Sequence, residues 1–205
     1  KDKVSYWPQY AEEFYCPVKK KDTSEIPDDG IFKVIFTGNI GQAQGLEILP
    51  KAARKLENVK FVIVGDGRNK ENFLAEINRL GVQDKFIMIE RQPQEKIPEL
   101  LACCDAAFVS FMDNELLTKT IPAKLQSYMA CGMPILASAS GETKRVVEEA
   151  ECGLCSDIGD VDGLCQIIEK MKEKDLQEMA DKSREYYLDN FEKKMLMDEM
   201  EKYLG

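Results

Sequence analysis

From residue 31 onward, short apolar runs alternate with stretches whose apolar residues recur three and four positions apart. The first pattern suits strands and the second suits helices packed on one face. It predicts strands at 31–36, 60–64, 85–89, 106–110, 135–138 and 153–156. Helices are expected between them at 44–56, 69–80, 93–103, 122–131 and 143–150, and three more follow at 161–173, 176–187 and 191–204. Strands apolar on both faces, spaced by amphipathic helices, predict an α/β fold: a parallel sheet of about six strands with helices on both sides. Ligands of such sheets bind beyond the carboxyl ends of the strands, where the strand order reverses.

Residues 118–138 carry the densest information. A polar loop ends at Thr120-Ile121-Pro122, then Leu125, Tyr128 and Met129 share a helical stripe. Gly132 stands where a left-handed residue commonly ends a helix. Pro122 suits a first helical turn, and Thr118 or Thr120 is positioned to cap it. The N–H groups of that helix start, with Lys124 beside them, are a natural seat for an anion such as a diphosphate. The same features also describe an ordinary loop–helix–strand unit.

Residues 1–30 read differently. Tyr6, Trp7, Tyr10, Phe14 and Tyr15 gather around Pro8 and Pro17, and a charged stretch with Pro27 and Gly30 follows. We expect an arm and linker over 1–30, a binding domain over 31–190 and a C-terminal helix over 191–205. The arm's aromatics need a surface to cover. The 205-residue chain does not begin with Met, shows no signal-peptide pattern and could be part of something longer.

Composition narrows the function. Hydrophobic residues make up 44%, and no apolar run approaches the ~20 residues of a membrane span. A net charge of −9 argues against nucleic acid as a partner. Any anion site must therefore be built from backbone dipoles and a few cations. Seven cysteines, an odd number, sit mostly in apolar segments, with Cys103, Cys104, Cys131 and Cys165 in predicted helices. That usage predicts a reduced, cytoplasmic protein. Cys152-Gly-Leu-Cys155 has metal-ligand spacing but no second pair nearby, and small buried side chains are the plainer reading. The absence of histidine removes mixed Cys/His zinc sites and His-based triads. No metal and no cofactor is expected.

Four polar loops leave the expected carboxyl ends. Residues 38–45, Gly-Asn-Ile-Gly-Gln-Ala-Gln-Gly, follow the first strand and open a helix, as a phosphate loop or a plain glycine-bearing turn would. The spacing is not that of the dinucleotide fingerprint. After the second strand, Arg68 reads as an exposed turn residue. After the third, Arg91 and Gln92 suit a nucleobase edge or a solvated loop equally. The long loop with Asp113, Asn114, Glu115, Thr118, Lys119 and Thr120 carries side chains able to read sugar hydroxyls.

Together the segments 36–45, 62–67, 100–107 and 122–132 resemble the C-terminal domain of retaining GT-B glycosyltransferases of group 1, in register from about Lys33 to Leu164. Residues 3–17 resemble that family's entry to its interdomain hinge. The combination of the glycine loop with Pro122-Ala-Lys-Leu-Gln-Ser-Tyr128 looks most like the branch that transfers N-acetylated amino or deoxyamino sugars such as N-acetylfucosamine. The resemblance implies a Rossmann-like domain, one half of a GT-B fold. It implies a donor that is a nucleotide-diphospho-sugar, expected to be a UDP-linked N-acetyl sugar, and a polysaccharide or lipid-linked acceptor held by a missing N-terminal domain. The full-length protein would then work in the cytoplasm or at the inner membrane surface.

Carried over position by position, the diphosphate is expected at Gly38, Asn39, Gly41, Gln44, Lys119, Thr120, Pro122, Ala123 and Lys124. The ribose is expected at Ser127, the nucleobase at Arg91, Gln92 and Lys96, and the sugar at Asp113, Asn114, Glu115 and Thr118. Two departures matter. Many relatives carry Arg and Lys where this chain has Asn39 and Gln44, and Glu where it has Lys119 and Ser127. The cation that balances the diphosphate is therefore expected at Lys119 or Lys124. A nucleotide-sugar epimerase shares this architecture but usually relies on histidines, and a non-catalytic nucleotide-sugar module is the other rival.

Overall fold

The computed structural model describes residues 7–19 and 25–204. Tyr6 of the expected arm and residues 20–24 of the expected linker lie outside the described residues. Six strands form one sheet: β1 (Phe32–Asn39), β2 (Val59–Asp66), β3 (Phe86–Ile89), β4 (Ala106–Ser110), β5 (Ile135–Ser138) and β6 (Gly153–Ser156). Their order is β3-β2-β1-β4-β5-β6 and every pairing is parallel. The order reverses between β1 and β4, so the crevice of this Rossmann-like sheet lies there.

Alternate strand residues go to opposite faces, and both faces are covered. Val34, Phe36, Phe61, Ile63 and Phe108 pack beneath α1 (Ile48–Ala53), α2 (Lys70–Leu80) and α6 (Val161–Lys172). Ile35, Val62, Val64 and Val109 pack beneath α3 (Ile97–Leu101), α4 (Ala123–Ala130) and α5 (Gly141–Glu149), with Tyr187 of α7 (Leu176–Asn190). α8 (Lys193–Leu204) follows. Among the described residues no helix is long and apolar enough to cross a membrane.

Three expectations need adjustment. The helix expected at 44–56 is a 3-10 turn, Gln42–Gln44, followed by α1, because Gly45 takes a left-handed φ of 59° and breaks the ladder. The helix expected at 93–103 divides into the 3-10 turn Gln94–Lys96 and α3, which leaves Cys103 and Cys104 beyond its end, while Cys131 caps α4 rather than lying inside it. β1 and β2 both run past their apolar cores, pairing Gly38 with Gly65 and Asn39 with Asp66. Gly65 has φ 146°, and a Cβ there would lie 1.9 Å from the Gly38 carbonyl oxygen. Glycine lets the two strands stay together to the ligand edge.

α4 ends as expected. Gly132 takes φ 66°, its N–H donates to the Met129 carbonyl at 2.9 Å, and the Met133 N–H donates to the Tyr128 carbonyl at 3.0 Å. Arg184 of α7 donates to the Ala130 carbonyl at 2.5 Å, a cation on the helix's negative end.

At the opposite edge of β1 the Lys33 side chain is only 3% exposed, and its Nζ lies 2.6 Å from Asp29 Oδ1 and 3.1 Å from the Ile31 carbonyl. Lys60 approaches the other Asp29 oxygen at 2.6 Å. Lys33 first and Lys60 second hold the Asp29 carboxyl well below the usual carboxylate range. Asp29→Asn removes the anion from a buried ammonium and is expected to cost about 1–3 kcal/mol in urea melts at neutral pH. Because the folded carboxyl is the stronger acid, its contribution is present above the unfolded value near 3.9 and is lost as pH falls below it. The gap between parent and variant should close on acidification. A gap that holds at low pH would assign the effect to packing.

Candidate functional site

β1 and β4 pair only at Val34–Ala106 and Ile35–Ala107. Beyond Ile35, β1 keeps β2 and loses β4. Tyr128 of α4, fully buried, fills the place of the lost strand. The Thr37 N–H donates to the Tyr128 hydroxyl at 2.8 Å, and the Thr37 hydroxyl is 3.2 Å away. A backbone donor that would otherwise be orphaned is thus satisfied by a side chain. Burial pushes the Tyr128 phenol up to about 12, so it stays protonated.

The gap opens into a cleft of about 990 Å³, within the range of small-molecule sites. Thr37, Gly38 and Asn39 line it from β1, and residues 64–67 from the end of β2. Residues 91–94 and Ile97 form another wall. Ala123, Lys124 and Ser127 face it from the start of α4. Pro122 is the N-cap of α4 with ψ 138°, and no side chain caps the helix. The Leu125 N–H donates to the Pro122 carbonyl at 2.9 Å, while Ala123 and Lys124 stand where a helix N–H has no intrahelical carbonyl to bond.

Lys124 is the unusual group. Its Nζ is shut off from solvent and has no hydrogen-bond partner among the described residues. It lies 3.8 Å above the centre of the Phe36 ring, and a Cβ on Gly38 would be 3.8 Å from it. A cation over a ring gains about 0.5–2 kcal/mol, whereas an unpaired buried charge costs more than that. Burial alone pushes the amine down to about 7. The wall carboxylates are engaged elsewhere: Glu12 pairs with Lys193 at 3.2 Å, and Asp66 accepts its neighbouring Gly67 N–H at 2.9 Å.

Of the residues expected to bind ligand, the cleft brings together Gly38, Asn39, Arg91, Gln92, Ala123, Lys124 and Ser127. Gly41 is buried behind it, and the Gln44 Oε1 accepts the Gly41 N–H at 3.1 Å. Lys96 is exposed at the start of α3 and outside the lining. Residues 113–120 of the long loop are not among those lining the cleft. Lys119 pairs with Glu115 at 2.6 Å and is 65% exposed. The Thr118 and Thr120 hydroxyls donate to the Glu115 and Leu117 carbonyls at 2.9 and 3.0 Å, so neither caps α4. The Asn114 Oδ1 accepts the Leu116 N–H at 2.9 Å, and Asp113 is exposed. This segment closes on itself as the 3-10 turn Leu117–Lys119 and leans on α5, where the Thr143 hydroxyl donates to the Thr120 carbonyl at 3.4 Å. Arg68 is exposed and outside the lining, as expected.

The arm supplies a wall that the sequence reading did not assign. Tyr10, Ala11, Glu12 and Tyr15 all face the cleft. Three anchors fix them: Gln126 donates to the Gln9 carbonyl at 2.8 Å, the Tyr187 hydroxyl to the Ala11 carbonyl at 3.3 Å, and Lys193 pairs with Glu12. Burial raises the Tyr15 phenol, with Ser127 acting in the opposite sense. The clustered aromatics before residue 19 were the available signal. Burial pushes the Cys152 and Cys155 thiols up to about 12, which leaves little thiolate to bind a metal. Among the described residues no cluster of three or more cysteine or carboxylate side chains is arranged to hold a metal ion.

Two substitutions test this geometry without a ligand. Tyr128→Phe keeps the ring and removes the acceptor of Thr37, so it should cost about 1–3 kcal/mol in denaturant melts. Loss of protection at the Thr37 amide in hydrogen exchange would locate the effect, and unchanged protection would refute it. Lys124→Met removes a buried amine whose folded pKa lies below its unfolded one. Stability lost to that amine is greatest below about pH 7 and is recovered as pH rises toward the unfolded value near 10.4. The variant should therefore be the more stable protein at neutral pH, by an advantage that shrinks toward about pH 10. Thermal melts at the two pH values measure it.

Comparison with known proteins places this architecture. The chain is 26% identical over 196 residues to the probable glycosyltransferase WbjE of Pseudomonas aeruginosa, covering 92% of this chain and 48% of that one. It is 25% identical over 146 residues to the N-acetyl-alpha-D-glucosaminyl L-malate synthase of Bacillus anthracis, covering 70% and 36%. Among solved structures, Anabaena Alr3699/HepE in complex with UDP-glucose shares the fold with a TM-score of 0.72 at 21% identity, covering 84% of this chain and 48% of that one. The chain thus spans about half the length, or less, of these relatives. Residues 18–189 match the family described as Glycosyl transferases group 1, and the chain belongs to that family.

Proposed function

We propose that this chain is the donor-binding half of a retaining glycosyltransferase. Its cleft takes a nucleotide-diphospho-sugar, a UDP-linked N-acetyl sugar in the first instance. A preceding domain, matching the other half of the longer relatives, would hold a polysaccharide or lipid-linked acceptor. One observation carries the reading: the Lys124 amine is sealed in the cleft wall at the head of α4 without an acceptor of its own. A diphosphate is the ligand chemistry that such an amine and the N–H groups of Ala123 and Lys124 at the helix start complete.

The parts then divide as follows. Gly38 admits the diphosphate close to the backbone of β1, and Ala123 and Lys124 hold it. Ser127, three residues on along the same helix face, meets the ribose with Tyr15 beside it. Arg91 and Gln92 meet the edge of the base. When the bond between sugar and diphosphate breaks, negative charge grows on the leaving oxygens. A charged lysine and the positive end of α4 stabilise that charge where it develops. With Asn39 and Gln44 in the glycine loop, the cation comes from α4. Lys119, exposed and paired with Glu115, is not the group that supplies it. HepE, which shares this fold, is solved in complex with UDP-glucose, and that supports a nucleotide-diphospho-sugar as the class of ligand.

Calorimetric titration of UDP tests the reading. Lys124→Met should weaken binding at least tenfold, the effect of a charge-assisted contact worth about 1.5–3 kcal/mol. Lys119→Ala should bind like the parent, and a chelator should leave the affinity unchanged. Should Lys124→Met bind like the parent while Lys119→Ala does not, the phosphate site is in the wrong loop.

A further inference from the structure

We propose that capture of a nucleoside diphosphate in this cleft is coupled to uptake of one proton by Lys124 Nζ. The inference rests on the functional reading above and adds the protonation event to it. In the ligand-free cleft the amine has no hydrogen-bond partner among the described residues, and it lies 3.8 Å from the centre of the Phe36 ring. A buried group in that position gives up its charge rather than bear it unpaired. Its pKa of about 7 has burial as its one cause, with no neighbouring charge contributing.

The titratable and charged groups around the cleft leave the amine to itself. From the arm come Glu12, engaged with Lys193, and Tyr15, whose phenol burial keeps protonated. From the end of β2 comes Asp66, which accepts the Gly67 N–H and lies 3.7 Å from Lys70. The 91–94 wall brings exposed Arg91. α4 itself adds no second charged side chain to the lining, and Tyr128 stays neutral. An arriving diphosphate supplies the missing counter-charge and hydrogen-bond acceptors together. Both favour the ammonium form, so the amine's affinity for a proton rises in the complex. Above pH 7 that proton must come from solvent, and by linkage the ligand's affinity falls as pH rises.

The consequence is a receptor that carries its full charge only when occupied. An unliganded cleft above neutral pH avoids part of the penalty of an unpaired buried ammonium. A neutral sugar or a nucleoside without phosphates cannot draw the proton in, so the coupling also discriminates between ligands.

Titration of UDP into the 205-residue chain, in phosphate and in Tris at about pH 8, reads the proton count from the dependence of heat on buffer ionisation enthalpy. With an amine titrating near 7, about 0.9 proton should enter per UDP at that pH and few at about pH 6. The UDP affinity should fall up to tenfold per pH unit above about 7.5. Uridine should bind without proton uptake. Lys124→Arg, charged throughout, should bind UDP with a proton count near zero and a flatter pH profile, and Lys124→Met should show no uptake in whatever binding remains. UDP binding without proton uptake at about pH 8 overturns this inference and leaves the functional reading standing. Uptake that persists in Lys124→Met also overturns it, since another group would be titrating. Failure of the parent to bind UDP at either pH overturns the functional reading, and the inference falls with it.

Discussion

The hydrogen bond between the Thr37 N–H and the Tyr128 hydroxyl is where the sheet stops and the cleft begins. β1 and β4 can part after two paired positions only if the N–H that β4 abandons finds another partner in a dry interior. A tyrosine on α4 provides it and fills the volume of the missing strand with its ring. The same helix therefore props the crevice open, presents its N-terminus to it and carries Lys124 one turn earlier. The Schellman cap and Arg184 fix the other end of α4, so its register against β1 is held from both sides.

A second constraint is electrostatic. The chain is acidic overall, and its glycine loop carries Asn39 and Gln44 rather than cations. Its cleft nevertheless has one amine placed where solvent does not reach it. Such a group destabilises the empty protein, and stability given up at a site is a common companion of function. The surface lysines differ. Lys119, Lys182 and Lys193 each have a carboxylate within 3.2 Å. Lys124 alone among these four is buried, and no carboxylate is placed to neutralise it.

The third element is the arm. Tyr10, Ala11, Glu12 and Tyr15 line the cleft, and the arm is tied to α4, α7 and α8 at separate points. The C-terminal helices thus reach the cleft indirectly, through Tyr187 and Lys193. Of the arm's described aromatics, Tyr10 and Tyr15 line the candidate site, while Trp7 stays exposed.

Much of this was legible in the chain alone. β4, β5 and β6 stand where their apolar runs put them, and α6 and α7 start where Asp160 and Asp175 cap them, because strand burial and capping act over a few neighbouring residues. Composition and the glycine-bearing loops pointed to the ligand edge for the same local reason. The sequence could also name Lys124 as one of two candidate cations. It could not choose between Lys124 and Lys119, since both are lysines near one helix start. Solvent exclusion sets the two apart: the Lys124 amine is buried against Phe36, far away in sequence, while Glu115, four residues away, pairs with the exposed Lys119. Likewise the loop at 113–120 has the polar content of a binding loop, yet Asn114, Glu115, Thr118, Lys119 and Thr120 bond within their own turn. The arm, which reads as a linker, becomes a wall. Burial and hydrogen-bond satisfaction depend on contacts between distant segments, so they were decided only when the chain folded.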